Sequence, residues 1–354
     1  MFYHSPHTSR ASEPLFRAFF MAMEDGAILH NGSGEIIAIN PAAELILGFD
    51  ATHWLGHSCA GSAGSDSTLN FIHQGGTPIP WEHHPAMLAF QTGKPQRNVL
   101  MGVYRPDGVL VWLSVNTLPL IPDGESAPYA VVQTFCDITQ QRLTERYEQF
   151  RSQTLELLAG GVSLPDLLAS IVRGVEQLKP EMICSILLSE SDGQHLGQCI
   201  APSLPDFYNA AIDGIEIGVG CGCCGTAAAT GERVIVDDIQ THPYWIPYKE
   251  LAAKAGLAAC WSEPIRSSSG QVLGTFAVYH REVYSPAAFD ISIIEKSTHL
   301  VSIAIERKRM EQDIAAREQE FRSLAETSPD FIVRYDRQGR HRYFNDRLLK
   351  PLGL

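Results

Sequence analysis

The sequence has no surplus of positive charge: 27 Lys and Arg stand against 40 Asp and Glu, a formal net charge of −13. A surface that grips nucleic acid needs clustered cations, so a nucleic-acid partner is excluded as a class. The chain also lacks any run of about 18 apolar residues, the length a membrane-spanning helix requires. Residues 1–12 are polar and hold no apolar segment of the kind a secretion signal carries. No membrane partner is expected, and a cytoplasmic location is the default.

Other absences narrow the chemistry. The eight cysteines follow no disulfide framework, and the tight group Cys221, Cys223 and Cys224 lacks Cys-x-x-Cys spacing. Zinc and iron–sulfur sites favour that spacing, so no metal site is assigned. In a reducing compartment most of these thiols act as small buried hydrophobes, with reversible oxidation of Cys221 or Cys223 open as a redox signal. The glycines of 218–225 are not followed by the Lys-Ser or Lys-Thr of a phosphate loop, and no acidic pair sits at catalytic spacing.

What is present is an ordinary globular composition, 45% hydrophobic and 19% charged, with length for two to three domains. The densest stretch is 216–280. A glycine-rich turn leads into a small-residue helix predicted over 226–230 and closed by Gly231, since glycine takes the left-handed cap position at least cost. Val234-Ile235-Val236 reads as a strand with Asp237-Asp238 as its polar exit. A loop rich in Pro and aromatics (His242 to Tyr248) precedes a helix over 249–255 stopped by Gly256, then two strands at 259–264 and 272–279.

The N-terminal third reads as a helix at 13–23, strands at 27–30 and 35–40, and a helix at 42–47 opened by Asn40-Pro41 and ended by Gly48. Residues 50–80 show no period; 81–91 looks helical, and strands follow at 96–104, 109–118 and 129–135. These pieces predict a five-stranded antiparallel sheet with helices on one side. The chain also repeats itself: a shift of 305 places Phe16-Arg17 on Phe321-Arg322, Asp25 on Asp330, Gly34 on Gly339, Asn40 on Asn345 and Leu47-Gly48 on Leu352-Gly353. Two helical connectors, 140–158 and 291–325, place Leu143, Tyr147, Phe150, Thr154 and Leu157, and Ile294, Thr298, Val301, Ile305, Lys308, Gln312 and Ala315, at alternating four and three spacing.

Two family resemblances rest on these residues. Cys224-Gly225-Thr226-Ala227-Ala228, Gly256 to Ile265, and Val272-Leu273-Gly274-Thr275-Phe276-Ala277 resemble the distal half of a GAF domain over about 148–308. Asp25-Gly26, Asn40-Pro41-Ala42-Ala43, Arg105-Pro106-Asp107-Gly108 with Trp112, and Asp137-Ile138-Thr139 resemble a PAS domain over 13–139. The resemblance implies an α+β fold: central antiparallel sheets flanked by helices, with 1–12 disordered, 140–158 and 309–320 linkers, and 321–354 an incomplete second PAS domain. The whole is similar to the PAS–GAF–PAS sensory modules of bacterial signalling proteins. The implied function is sensing of a small ligand or redox state, passed through a homodimer of helices 140–158 and 291–325 to an output domain beyond Leu354. By resemblance that output is cyclic-di-GMP turnover or a histidine kinase, and no catalytic residue is expected within the chain.

Candidate site residues follow from the same resemblance. In the GAF pocket they are Cys221, Cys223, Cys224, Thr226, Asp238, His242, Trp245, Tyr248, Cys260 and Trp261. In the first PAS domain they are His53, His57, His83, His84 and Trp112, where histidine is an adequate but unspecific iron ligand for haem, with flavin the other group considered. Two further readings stay open. The run 220–231 is similar to free methionine-R-sulfoxide reductases, with Cys224 matching one of their cysteines but no cysteine in the 242–248 loop where theirs is catalytic. The other is a scaffold that dimerises and binds nothing.

Overall fold

The computed structural model describes residues 9–50, 52, 54–56 and 70–345, and the chain divides into two units at 145/146. The first helix, α1 (Ser9–Ala22), starts inside the segment expected to be disordered. His53 and His57, residues 1–8 and the Leu352-Gly353 end of the repeat lie outside the described residues.

In the N-terminal unit, β1 (Gly26–Asn31), β2 (Ile36–Ile39), β3 (Asn70–Ile72), β4 (Gln96–Tyr104), β5 (Leu110–Leu120) and β6 (Ala130–Asp137) form one antiparallel sheet in the order β2-β1-β6-β5-β4-β3. The sequence reading counted five strands; the sixth, β3, is three residues long and has too few positions to show a period. β5 alternates strictly, burying Val111, Leu113 and Val115 with Met101, Val103, Ile28 and Phe135 on one face. The helical stretch at 81–91 is two pieces: a 3-10 turn Trp81–His83, then α3 (Pro85–Thr92), split by Pro85 at the helix start.

Asn40 fixes the entry to α2 (Pro41–Leu47). Its side-chain oxygen accepts from Ala43 N at 2.9 Å, capping the helix, and from Ala27 N at 2.8 Å, while its amide donates to Asp25 O at 2.8 Å. The same bracket recurs 305 residues on: Asn345 accepts from Ile332 N at 3.1 Å and donates to Asp330 O at 2.9 Å. The hairpin β13 (Val333–Tyr335) and β14 (His341–Phe344) pairs Val333 with Phe344 and shifts register after Arg334, as β1 and β2 pair Ile28 with Ile39 and shift after Leu29. The sequence repeat is a structural repeat, down to the bulge.

The C-terminal unit begins in α4 (Thr139–Ala159) and continues with α5 (Leu164–Leu178), β7 (Ile183–Ser189), β8 (His195–Ile200), α6 (Asp206–Ile212) and β9 (Ile215–Glu216). Then come α7 (Gly222–Thr230), β10 (Val234–Val236), α8 (Lys249–Ala255), β11 (Ala259–Arg266), β12 (Val272–His280) and α9 (Ala288–Thr327). Its sheet runs β10-β11-β12-β7-β8-β9. One face packs on α4, α5 and the first half of α9; the other carries α6, α7 and α8. α7 starts four residues earlier than the sequence reading placed it, because Gly222 (φ +64°) turns the chain into the helix. Gly225 then lets α7 lie on β9: a Cβ there would sit 2.5 Å from the Glu216 carbonyl oxygen.

Tyr147, Phe150 and Thr154 of α4 and Ile294, Thr298, Val301 and Ile305 of α9 are buried within the chain itself. A second copy would have to meet these helices elsewhere. Leu157 is exposed on α4, and Gln312 and Ala315 are exposed on α9.

Removing the Asn40 side chain strips partners from two buried N–H groups and one carbonyl. Asn40→Ala should destabilise the N-terminal unit by about 2–3 kcal/mol, read as a lowered urea midpoint with unchanged slope.

Candidate functional site

The GAF-like resemblance pointed to the glycine-rich turn before α7, and the structure builds a cavity there. Thr226 ties the turn together: its hydroxyl donates to Gly222 O at 2.7 Å and accepts from Gly220 N at 3.0 Å. Gly218 N donates to Gly225 O at 3.2 Å, closing the loop on the helix it feeds. With the turn held, Cys223 and Cys224 on the first turn of α7 face the sheet, and Cys221 stays half-buried at the rim.

The cavity is walled by Tyr208, Cys223, Cys224, Trp245, Tyr248 and Tyr279, with Leu187, Ile212 and Ile215 beside them. Its free space is about 20 Å³, room for about one water and far too little for an organic ligand unless the walls move. Trp245 Nε1 donates to Cys223 Sγ at 3.3 Å, Cys223 Sγ donates to Cys260 O at 3.2 Å, and Ser262 Oγ donates to Cys224 Sγ at 3.8 Å. Tyr208 and Tyr279 meet edge to face, 5.8 Å between centroids.

Burial dominates the electrostatics. It pushes the Cys224 thiol up to about 11, with Cys223 adding to it, and the Cys199 thiol up to about 12, with Cys224 and Asp213 adding. Cys260 is held well above its ordinary value and Cys221 is raised, both first by burial. These four thiols are therefore protonated and weakly nucleophilic at neutral pH. Cys199 of β8 belongs to this group and was missed by sequence reasoning; its position on an inward-facing strand was the available signal.

Not every expected pocket residue arrives there. Trp261 lies on the opposite face of β11, in the core against α5 and α9, because adjacent strand residues point to opposite sides and Cys260 takes the cavity side. His242 caps the 3-10 turn Pro243–Trp245, its Nδ1 accepting from Tyr244 N at 3.2 Å, and is not in the cavity wall. Asp238 is a turn residue, accepting from Gln240 N at 2.8 Å and Thr241 Oγ1 at 3.1 Å. Thr226 acts from behind the wall as a brace.

In the N-terminal unit the histidines separate. His83 is exposed, whereas His84 is buried. The His84 ring stacks on Trp81 at 4.6 Å and meets Phe71 edge-on at 5.0 Å, and its Nδ1 accepts from Ala86 N at 3.4 Å, capping α3. Burial, reinforced by nearby His30, brings its pKa down to about 3. His30, missed by sequence reasoning, is buried on β1 with its Nε2 3.4 Å from Gln133 Oε1, and burial lowers its pKa too. A ring packed and capped in this way is a core residue. Trp112 faces away from the core of its sheet, where the Arg142 guanidinium of α4 lies 4.1 Å from its ring centroid. Its backbone instead holds the Asp137-Ile138-Thr139 corner, donating from N to Thr139 Oγ1 at 2.9 Å.

Comparison with known proteins agrees with both resemblances. A PAS domain model matches residues 15–75 and a GAF domain model matches residues 161–306. The chain carries a PAS domain and a GAF domain. It is 38% identical over 194 residues to the methyl sulfide methyltransferase-associated sensor of Methanosarcina acetivorans, covering 55% of this chain and 19% of that protein. The chain thus spans about a fifth of that relative's length. Similar solved structures include the free methionine-R-sulfoxide reductase of Neisseria meningitidis (18% identical, TM-score 0.37, 47% of this chain and 91% of that one). Another is the PAS domain of an HTR-like protein from Haloarcula marismortui (17% identical, TM-score 0.28, 36% and 93%). The matches are thus to a PAS domain, a GAF domain and part of a protein named as a sensor. Among the described residues no helix is long and apolar enough to cross a membrane.

The raised thiols and lowered imidazoles set opposite pH limits. For Cys224, the folded state keeps a proton that the unfolded state releases from about 9.0 upward, so stability should fall as pH rises from about 9.0 through about 11, by about 3 kcal/mol for this thiol. For His84, the unfolded state gains a proton below 6.5 that the folded state refuses until about 3, so stability falls as pH drops through that window. Denaturant midpoints measured separately on the PAS and GAF transitions should show acid sensitivity in the first and alkaline sensitivity in the second.

Proposed function

We propose that this chain is the input portion of a cytoplasmic signalling protein: a small ligand or redox change at the GAF cavity alters the packing of α9 in a homodimer. That helix hands the change to an output domain, by resemblance one of cyclic-di-GMP turnover or a histidine kinase. The hairpin β13–β14, with its Asn345 bracket, is read as the opening of a second PAS domain.

The observation that carries this reading is α9. It is one helix of 40 residues. Its first half seals the GAF core through Ile294, Val301 and Ile305. Beyond Ile305 the apolar residues move to another stripe, Met310, Ile314, Phe321 and Leu324, which are 61%, 67%, 43% and 65% exposed. With Arg317 between them their spacing is four, three, four and three, the seam of a two-stranded coiled coil. One helix that is core at one end and a largely exposed seam at the other, where only Phe321 meets a ring of the chain itself (Tyr343, 5.8 Å between centroids), suits transmission by a shift or twist. The protonated thiols support a sensor over a thiol-dependent reductase, because that chemistry needs a thiolate.

The seam has a direct test. Sedimentation equilibrium of the purified chain should give a dimer, and Ile314→Glu with Leu324→Glu should weaken it at least about tenfold by placing charges at facing core positions. A monomeric wild-type chain at micromolar concentration would sink this mode of transmission.

A further inference from the structure

The cavity behind α7 has room for a water but nothing in its wall to hold one. Its free space is about 20 Å³, near the smallest that admits a water, and a water inside a protein also needs several polar partners. The polar atoms of this wall are already engaged with the protein. Trp245 Nε1 donates to Cys223 Sγ, Cys223 Sγ donates to Cys260 O, and Ser262 Oγ donates to Cys224 Sγ. The Tyr279 hydroxyl shares a hydrogen bond with Ser185 Oγ at 3.4 Å, and the Tyr208 hydroxyl bonds to Tyr279. Among the described residues, the buried side-chain oxygens and nitrogens without a partner include none from this wall.

That completeness decides what the cavity can take. No charged side chain lines it among the described residues, and burial keeps the Cys224 thiol protonated, so an ion would find no counter-charge. A polar ligand would give up its hydrogen bonds to water and find no free partner in exchange. What remains is four aromatic rings, three aliphatic side chains and two sulfur atoms, a polarisable surface that gains by dispersion contact with apolar matter. Tyr248 and Gly222 meet at one edge of the wall, where a Cβ on Gly222 would sit 3.9 Å from the tyrosine ring. Val219, just before Gly222 in the chain, and Ile246, just before Tyr248, are 67% and 68% exposed. Apolar side chains thus stand open to solvent on both segments that meet at this edge.

We propose that the GAF cavity binds a neutral, apolar molecule of about one or two heavy atoms, the size class of a dissolved gas. The proposal rests on the reading of that cavity as the signal site and names the class of its ligand. Binding makes and breaks no covalent bond. Water does not compete, because the wall offers it no partners, and the gain is contact with ring and sulfur atoms across a space that is otherwise empty. Cys224 belongs to α7 and Tyr279 to β12. A molecule lodged among them bears on the helix and on the strand whose other face, through Phe276 and Val278, packs in the same core as α9.

The test uses the whole chain, isotope-labelled for NMR, and probes of like size and different polarity: xenon, ethane, methanol and methylammonium. Xenon and ethane should shift the Trp245 indole N–H and the α7 amides saturably. Methanol, which adds a hydroxyl, and methylammonium, which adds a charge, should bind at least about tenfold more weakly than ethane. Ile212→Phe, which fills the space from α6, should abolish the xenon shifts. The ranking of the four probes on the wild-type chain stands even if that variant folds poorly. Absence of saturable shifts with xenon and ethane, shifts confined to residues away from the cavity, or methanol or methylammonium binding as tightly as ethane would overturn the proposal. So would undiminished xenon binding by a folded Ile212→Phe chain. Hydrogen exchange of α9 with and without each probe separates the two readings. Xenon bound with α9 unchanged defeats the signalling role and leaves the apolar site, whereas an α9 response to methanol or methylammonium alone defeats the apolar class and leaves the signalling role.

Discussion

The GAF sheet is buried on both faces, and the rest of this unit depends on that. β12 is buried at every position but its first, so its side chains alternate between two separate cores with no solvent face at all. A helix must cover each side. On one side α7 and its neighbours enclose a cavity lined by thiols and aromatics; on the other, α5 and α9 close over Trp261, Phe276 and Val278. The cavity and α9 are therefore separated by the thickness of one strand layer. Cys260 and Trp261, consecutive in β11, belong to different cores. A displacement of β11 from the cavity side is felt by Trp261 without an intermediate chain of contacts, because close-packed interiors transmit strain.

Where α9 starts is held as firmly as what it covers. Asp290, in its first turn, accepts from Tyr284 Oη at 2.5 Å and Ala287 N at 3.1 Å and pairs with Lys179 Nζ at 3.0 Å. Burial opposes the charge on this carboxylate, but the Tyr284 and Lys179 bonds outweigh it and hold its pKa below the usual range. A negative charge at a helix N-terminus is favourable on its own account. The bonds to Tyr284 and Lys179 also join the end of β12, the end of α5 and the start of α9 in one knot. Motion of α9 is thereby restricted to tilting or twisting about a fixed root, the kind of motion an exposed seam further along would amplify.

Much of this was legible in the sequence, for reasons that can be named. Gly231 and Gly256 marked helix ends because only the left-handed cap suits that conformation, and Asn40-Pro41 marked a start because a cap and a helix-ready φ coincide there. The repeat at 305 was visible in matched positions such as Asn40 and Asn345, and Asn345 rebuilds two bonds of the Asn40 bracket, to Ile332 N and Asp330 O. What stayed hidden was facing. Trp112 and Trp261 were both read as pocket residues from the family resemblance, yet strand parity sends each to the other side. His84 was a candidate ligand by residue type alone, and the tertiary stack with Trp81 and Phe71 instead packs its ring into the core.

The cysteines show the same limit from the other direction. Adjacency in sequence singled out Cys221, Cys223 and Cys224; Cys223 and Cys224 both reach the cavity wall, whereas Cys221 does not. α7 turns Cys221 to the rim, whereas β11 delivers Cys260 to Cys223 from 37 residues away. The contact that holds Cys223 is thus between elements, its Sγ donating to Cys260 O at 3.2 Å. Its partners were both in view in the sequence, but their meeting follows from Gly225, whose missing side chain lets the helix settle against the edge of the sheet. Any larger residue at 225 would lift α7 from β9 and carry Cys223 with it. The Cys223 bonds to Cys260 O and from Trp245 Nε1, and the cavity wall they help form, depend on one close backbone approach.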